Sequence, residues 1–251
     1  MKNFLVAFFK DAARIELFPL ATQLTYRLIF SIFPFLIFLI SLVGYFNIDA
    51  TQLLQEVYAL FPAKIAGGIN DIIHEVVDIR NPAVLSLSLL LSLFTVINGF
   101  RAIMRGVNRC YEEEDNRHFI KRWLLCALLV LILICAIILS ITSIIFEMGF
   151  LAPLALMLCV IMLIYHLASA VHHPFLSLLP GAALTLTAWG ASTWAFNIYI
   201  SNFANFSVIY GSIASVFLLM LWLNIISTTI LLGALLNAKL GFGVKNDSNV
   251  K

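Results

Sequence analysis

Long apolar runs alternate with short polar connections along the chain, and the runs exceed what a core helix of a soluble domain uses. Six of them predict membrane-spanning α-helices: Leu20 to Phe46, Pro82 to Phe100, Trp123 to Phe146, Phe150 to Ala170, Leu179 to Ile200 and Gly211 to Leu236. About 20 residues at 1.5 Å rise cross the hydrocarbon core of a bilayer. Two other patterns are amphipathic. Within residues 1–19, Phe4, Leu5, Phe8, Ala12 and Ile15 recur at helical spacing against Lys2, Lys10, Asp11 and Arg14. That predicts a helix lying in the membrane interface or, equally, packed on the bundle from the cytoplasm. Within residues 47–81, Leu53, Leu54, Val57, Leu60 and Phe61 form one stripe, and Ile65, Ile69, Ile72, Ile73, Val76 and Val77 form a second. Pro62 and the Gly67-Gly68 pair punctuate them, so two extracytoplasmic amphipathic helices are expected, covering the bundle or resting on the outer leaflet. The fold class is all-α: one integral domain over 1–251, a polytopic membrane protein with six transmembrane helices plus interfacial and extracytoplasmic amphipathic helices.

Composition agrees. Of the residues, 62% are hydrophobic and 11% charged, where a soluble domain has roughly a quarter charged, and the mean hydropathy is +1.03. The start "MKNFLVAFFKDAARIELFP" does not read as a cleavable signal peptide, because Lys10 interrupts a short apolar core and no small-residue cleavage site follows. It is expected to remain in the mature protein.

Charge placement sets the orientation. Lys2, Lys10, Arg14 and Arg27, the six Lys and Arg between Arg101 and Trp123, and Lys239, Lys245 and Lys251 make up thirteen of the fifteen basic residues. The 47–81 connection holds only Lys64 and Arg80 against Asp49, Glu56, Asp71, Glu75 and Asp78. The positive-inside rule therefore predicts cytoplasmic termini, a cytoplasmic loop over 101–122 and a cytoplasmic tail over 237–251. The loop "RAIMRGVNRCYEEEDNRHFIKRW" does not suit nucleic acid, since Glu112, Glu113, Glu114 and Asp115 offset four of its positive charges. Arg101, Arg105 and Arg109 recur as on one helix face and suit anionic headgroups.

Few polar groups lie at membrane depth. Arg27 sits about two turns into the first run, with Ser31 one turn on and Pro34 positioned to bend the helix; it either lines a polar cavity or snorkels to the headgroups. Asn98, Asn197 and Asn224 suit bonds between helices, and Ala183, Thr187, Ala191 and Ala195 form a small-residue stripe for close helix approach. Cys110, Cys126, Cys135 and Cys159 lack metal or disulfide spacing, and the His172-His173 pair lacks nearby ligands. No phosphate loop, nucleophile elbow or HExxH occurs, so no catalytic residue, metal or cofactor is expected.

The stretches "LTYRLIFSIFPFLIFL", "FPAKIAGGINDII", "VNRCYEEEDNRHFIKR", "LPGAALTLTAWGASTWAFNIYISNF" and "VIYGSIASVFLLMLWLNIISTTILLGALLNAKL" together resemble the YihY/BrkB family of bacterial inner-membrane proteins. The most specific positions are Ser31 with Pro34, Tyr210-Gly211, Trp222 and Leu232-Gly233-Ala234. The resemblance implies six helices with cytoplasmic termini. The family's old ribonuclease label is disfavoured here, because a nuclease needs clustered carboxylates or histidines and the only acid cluster is one exposed run. This chain departs from the family in carrying Leu235 where members often have Glu, His172-His173 where a basic residue is common, and Arg27 where an uncharged residue is usual.

The expected function is transport or translocation of a lipid-like or other amphiphilic substrate, along a path of Arg27, Ser31, Asn98, Arg101 and Tyr210. The alternative is a non-transporting structural or regulatory protein that recruits partners through its cytoplasmic loop. Membrane lipids are the expected partners; a homo-oligomer or a second membrane protein stays open.

Overall fold

The computed structural model describes residues 2–46, 82–145, 149, 151–170, 173–202 and 212–242. The expected extracytoplasmic helices of 47–81 lie outside the described residues, as do Glu147, His172, Tyr210, Gly211 and the tail beyond 242. Every described element is helical: α1 Lys2–Arg14, α2 Leu17–Phe46, α3 Pro82–Cys110, α4 Phe119–Ile145, α5 Leu151–Ala168, a 3-10 turn Phe175–Leu178, α6 Leu179–Asn202, α7 Ser212–Asn237 and a π turn Ala238–Phe242. Each of α2 to α7 overlaps one predicted span closely. The largest departure is α3, which continues past Phe100 to Cys110, so that Arg105 and Arg109 lie exposed along its last turns. Pro34 lies within α2, which runs through it although proline cannot donate the i→i−4 bond.

Among the described residues, four stretches are long and apolar enough to cross a membrane: Ser86–Cys110, Leu151–Ala168, Phe175–Tyr199 and Val216–Leu240. Only 22% of the Leu151–Ala168 stretch is buried in protein, so most of its side chains require an apolar solvent.

Contacts divide the chain into two units, 1–24 with 100–189 and 227–251, and 25–99 with 190–226. In the first unit α4 packs on α5, and α1 buries Phe8, Ala12 and Ile15. Glu16, at φ 57, turns the chain from α1 into α2, and the Leu20 amide bonds back to its carbonyl at 3.1 Å. The end of α3 is a Schellman turn: Glu113 N donates to Asn108 O at 3.0 Å, Glu112 N donates to Arg109 O at 3.2 Å, and Glu112 has φ 55.

The tightest helix crossing in this unit joins α6 to α7 through Gly181 and Gly233. A Cβ on Gly233 would strike Thr185 Oγ1, the Tyr165 hydroxyl and the Gly181 carbonyl. Tyr165 from α5 is fully buried and donates to the Ile230 carbonyl at 2.8 Å, with Thr185 Oγ1 2.6 Å from its hydroxyl. Asn237, also fully buried, accepts from Gly181 N at 2.7 Å and donates to the Leu178 carbonyl at 3.2 Å. The stripe expected to mediate close approach, Thr187, Ala191 and Ala195, faces outward instead, with Ala183 half-buried. Thr187 spends its hydroxyl on the Ala183 carbonyl at 2.8 Å. The opposite side of α6 makes the approach, where Gly181 and Thr185 meet Gly233 of α7.

Candidate functional site

The second unit buries four hydroxyl side chains, Thr25, Ser31, Ser88 and Ser92, among apolar ones such as Ile97, Leu219 and Trp222. On α3 the sequence "SLSLLLSLFTVINGF" sets Ser88, Ser92, Thr95 and Gly99 four, three and four residues apart, which places them on one helix face. Ser88 and Ser92 are buried, Thr95 is half-buried, and Leu87, Leu90, Leu91 and Phe94 on the other faces are exposed. Ser31 on α2 is buried against this face, since a Cβ on Gly99 would lie 3.5 Å from its Oγ. Thr25 is buried one and a half turns earlier and accepts from Asn224 Nδ2 of α7 at 3.4 Å.

These hydroxyls satisfy their protons locally. Ser31 donates to the Leu28 carbonyl at 2.7 Å, Ser92 to Leu89 at 2.9 Å and Thr95 to Leu91 at 2.8 Å. Each oxygen keeps acceptor capacity toward the interior. The seam thus gathers hydroxyl oxygens with spare acceptor capacity on α2 and α3.

The residues singled out from the sequence fall as follows. Ser31 lies beside Gly99, next in the chain to half-buried Asn98. Arg27 is exposed on α2, between exposed Tyr26 and Phe30, so its guanidinium meets the surroundings of the protein. Arg101 is half-buried and belongs to the first unit. Pro34 is half-buried, Trp222 is buried in the second unit, and Gly233 makes the crossing described above. Asn224 bonds between helices as expected, whereas Asn197 is exposed. Thr25, Ser88 and Ser92 escaped notice, although their spacing within an apolar helix was readable.

The charged 101–122 stretch folds onto its own unit. Arg117 donates through Nη1 to the Leu167 carbonyl at 2.9 Å and through Nη2 to the Ser169 carbonyl, capping the C-terminal end of α5 with a positive charge. Asp115 receives Arg122 Nε at 3.2 Å and Arg117 Nε at 3.7 Å. Asn108 Oδ1 accepts from Ala170 N at 2.7 Å, and Glu113 accepts from Ser169 Oγ at 3.3 Å. Buried His173 stacks on Tyr111 with ring centroids 4.8 Å apart, its Nε2 3.8 Å from Glu113 Oε1. Burial pushes the Tyr111 phenol well above its ordinary range, while the Asn237 amide works in the other direction. Arg14 pairs with Glu112, and Lys239 Nζ lies 2.7 Å from Asp11 Oδ2. Among the described residues no group of three His, Cys, Asp or Glu could hold a metal ion.

The family described as virulence factor BrkB matches residues 8–247 of this chain. The chain belongs to the BrkB family. A BrkB-family relative, the ribonuclease-like protein YfkH of Bacillus subtilis (strain 168), is 29% identical over 244 residues, covering 88% of each chain. UPF0761 membrane proteins of Xanthomonas oryzae pv. oryzae (strain PXO99A) and Xanthomonas campestris pv. campestris (strain B100) are each 33% identical over 84 residues. That match covers 34% of this chain and 20% of each Xanthomonas protein. No solved structure matches. With its apolar helices, this BrkB-family chain is a membrane protein.

Proposed function

We propose that this BrkB-family protein crosses the bacterial inner membrane six times, with both termini and the 101–122 loop in the cytoplasm, and translocates a lipid-like amphiphile. Support for the orientation comes from the first unit, which gathers α1, the charged loop, the 169–178 connection and the end of α7. The charge count assigns α1, the charged loop and the C-terminal end to one side and 47–81 to the other; the 169–178 connection, which carries no Lys or Arg, joins the first group by its contacts alone.

The observation that carries the function is the hydroxyl seam of Ser88, Ser92, Ser31 and the Thr25–Asn224 pair. Polar side chains inside a membrane protein are expensive unless they bond or meet a polar substrate. A headgroup passes from one weak acceptor to the next along the seam while its acyl chains stay in the bilayer. Arg27 outside and Asn98, beside Gly99 but off the serine face, receive it, and Arg101 and Tyr210 are the remaining candidates from the sequence. Its energy source is equilibration, a gradient or a partner. The recruiting alternative is weaker because Arg117, Arg122, Asp115 and Glu113 are engaged within the protein. The name of YfkH brings RNA hydrolysis as a competitor, which purified protein and labelled RNA would reveal.

The test is leaflet exchange of labelled phospholipid in liposomes. The expected result is exchange above protein-free vesicles that is abolished by Arg27→Ala and by Asn98→Leu in folded protein. Unchanged rates for both variants remove the path.

A further inference from the structure

Helix α1 has two apolar sides, and the protein covers only one of them. Phe8, Ala12 and Ile15 are buried in the first unit, and the Asp11–Lys239 and Arg14–Glu112 pairs fix the helix about its axis. Val6 and Phe9 are 68% and 61% exposed, and Ala13 is exposed beside them. At 3.6 residues per turn, Val6, Phe9 and Ala13 fall within one narrow arc, adjacent to the buried face, bordered on its other side by exposed Lys10 and closed at the helix N-terminus by Lys2. Phe18, in the first turn of α2, is 60% exposed.

We propose that α1 lies in the cytoplasmic leaflet, with the Val6–Phe9–Ala13 stripe among the acyl chains and Lys10 at the level of anionic headgroups. This rests on the reading of α2 as the first membrane span. Connectivity then selects lipid as the occupant. Only Ile15 and Glu16 separate α1 from α2, and the left-handed turn at Glu16 ends one helix as the other begins. Two residues span at most about 7 Å, so the C-terminal end of α1 is held at the depth where α2 enters the bilayer. Charge agrees, because Lys2, Lys10 and Arg14 outnumber Asp11 along the helix, and anionic headgroups attract each such excess cation. Bilayer docking of this kind leaves Phe8, Ala12 and Ile15 for the protein and sends the second apolar arc into lipid.

The experiment labels single cysteines with an environment-sensitive fluorophore in full-length protein carrying Cys135→Ser and Cys159→Ser. The labelled positions are Phe9→Cys, Lys10→Cys and Phe30→Cys, all exposed. The protein is reconstituted in vesicles of phosphatidylglycerol and phosphatidylethanolamine. The expected result at position 9 is blue-shifted emission that loses most of its intensity to shallow nitroxide lipids. Position 10 should be reached by aqueous iodide, and position 30 should be quenched by nitroxide lipids. Iodide access at position 9 with lipid quenching at position 30 overturns the docking while leaving the span intact. A blue-shifted position 9 that nitroxide lipids do not quench means a protein cover, and also overturns it. Loss of lipid quenching at position 30 overturns the span reading beneath it.

Discussion

Gly233→Ala is expected to destabilise the protein by about 2–4 kcal/mol. The added Cβ meets the Thr185 and Tyr165 hydroxyls and the Gly181 carbonyl at once. None of these is the far end of a flexible chain: Tyr165 and Thr185 are fully buried, and the carbonyl belongs to the backbone of α6. Overpacking a close-packed interior costs about 1–3 kcal/mol. Displacing the Tyr165 bonds to Ile230 and Thr185 adds about 1 kcal/mol apiece. Against this, exchanging glycine for alanine in a helix gains about 1 kcal/mol in propensity. Gly190→Ala is the matched control, since nothing lies within 4 Å of its added Cβ, and it should be neutral or stabilising. Unfolding of both variants in mixed detergent micelles reads the difference directly. Adding Thr185→Ala to Gly233→Ala should recover part of the loss by removing one struck atom. If Gly233→Ala is as stable as Gly190→Ala, the account of the crossing is wrong.

Arg117→Lys should destabilise the protein by about 1–2 kcal/mol and speed proteolysis between residues 111 and 118, because one ammonium cannot serve the Leu167 and Ser169 carbonyls as the guanidinium fork does. Tyr111 predicts a pH effect. Its folded-state pKa is raised, so its contribution is fully present below the unfolded phenol value of about 10 and is lost as pH rises above it. Wild type should therefore lose stability relative to Tyr111→Phe as pH rises above about 10; a constant difference up to about pH 11 would contradict the burial argument. Asp11→Asn should shift stability by less than about 1 kcal/mol, because the Lys239 pair is partly exposed and screened.

The helices were legible because lipid imposes one rule on every span: the apolar run must match the bilayer. Hence α5 and α6 begin and end within a few residues of the hydropathy boundaries. The same rule misjudged the end of α3, where hydropathy drops at Arg101 but the helix continues to its Schellman turn at Glu112. Backbone hydrogen bonding, unlike hydropathy, does not stop at the membrane surface. Arg27 drew notice as a lone charge, while the buried serines of α3 did not, because a hydroxyl barely alters hydropathy. The small-residue stripe on α6 was misread because periodicity identifies a face without saying what it meets. Arg117, Asn237 and Tyr165 were illegible for a related reason: each bonds to backbone groups of distant segments, and backbone groups leave no trace in a sequence.

The pairing of Asp11 with Lys239 has a consequence for biogenesis. Chains are made and inserted from the N-terminus, so α1 emerges first, yet its two ionic partners, Glu112 and Lys239, come from the middle and the far end of the chain. Arg14 can meet Glu112 once the middle of the chain is made, but Asp11 waits for Lys239 until synthesis is almost over. The first unit is therefore completed last, by the joining of its earliest and latest segments, and a chain truncated before Lys239 would reach the membrane with one of the two ionic ties of α1 missing.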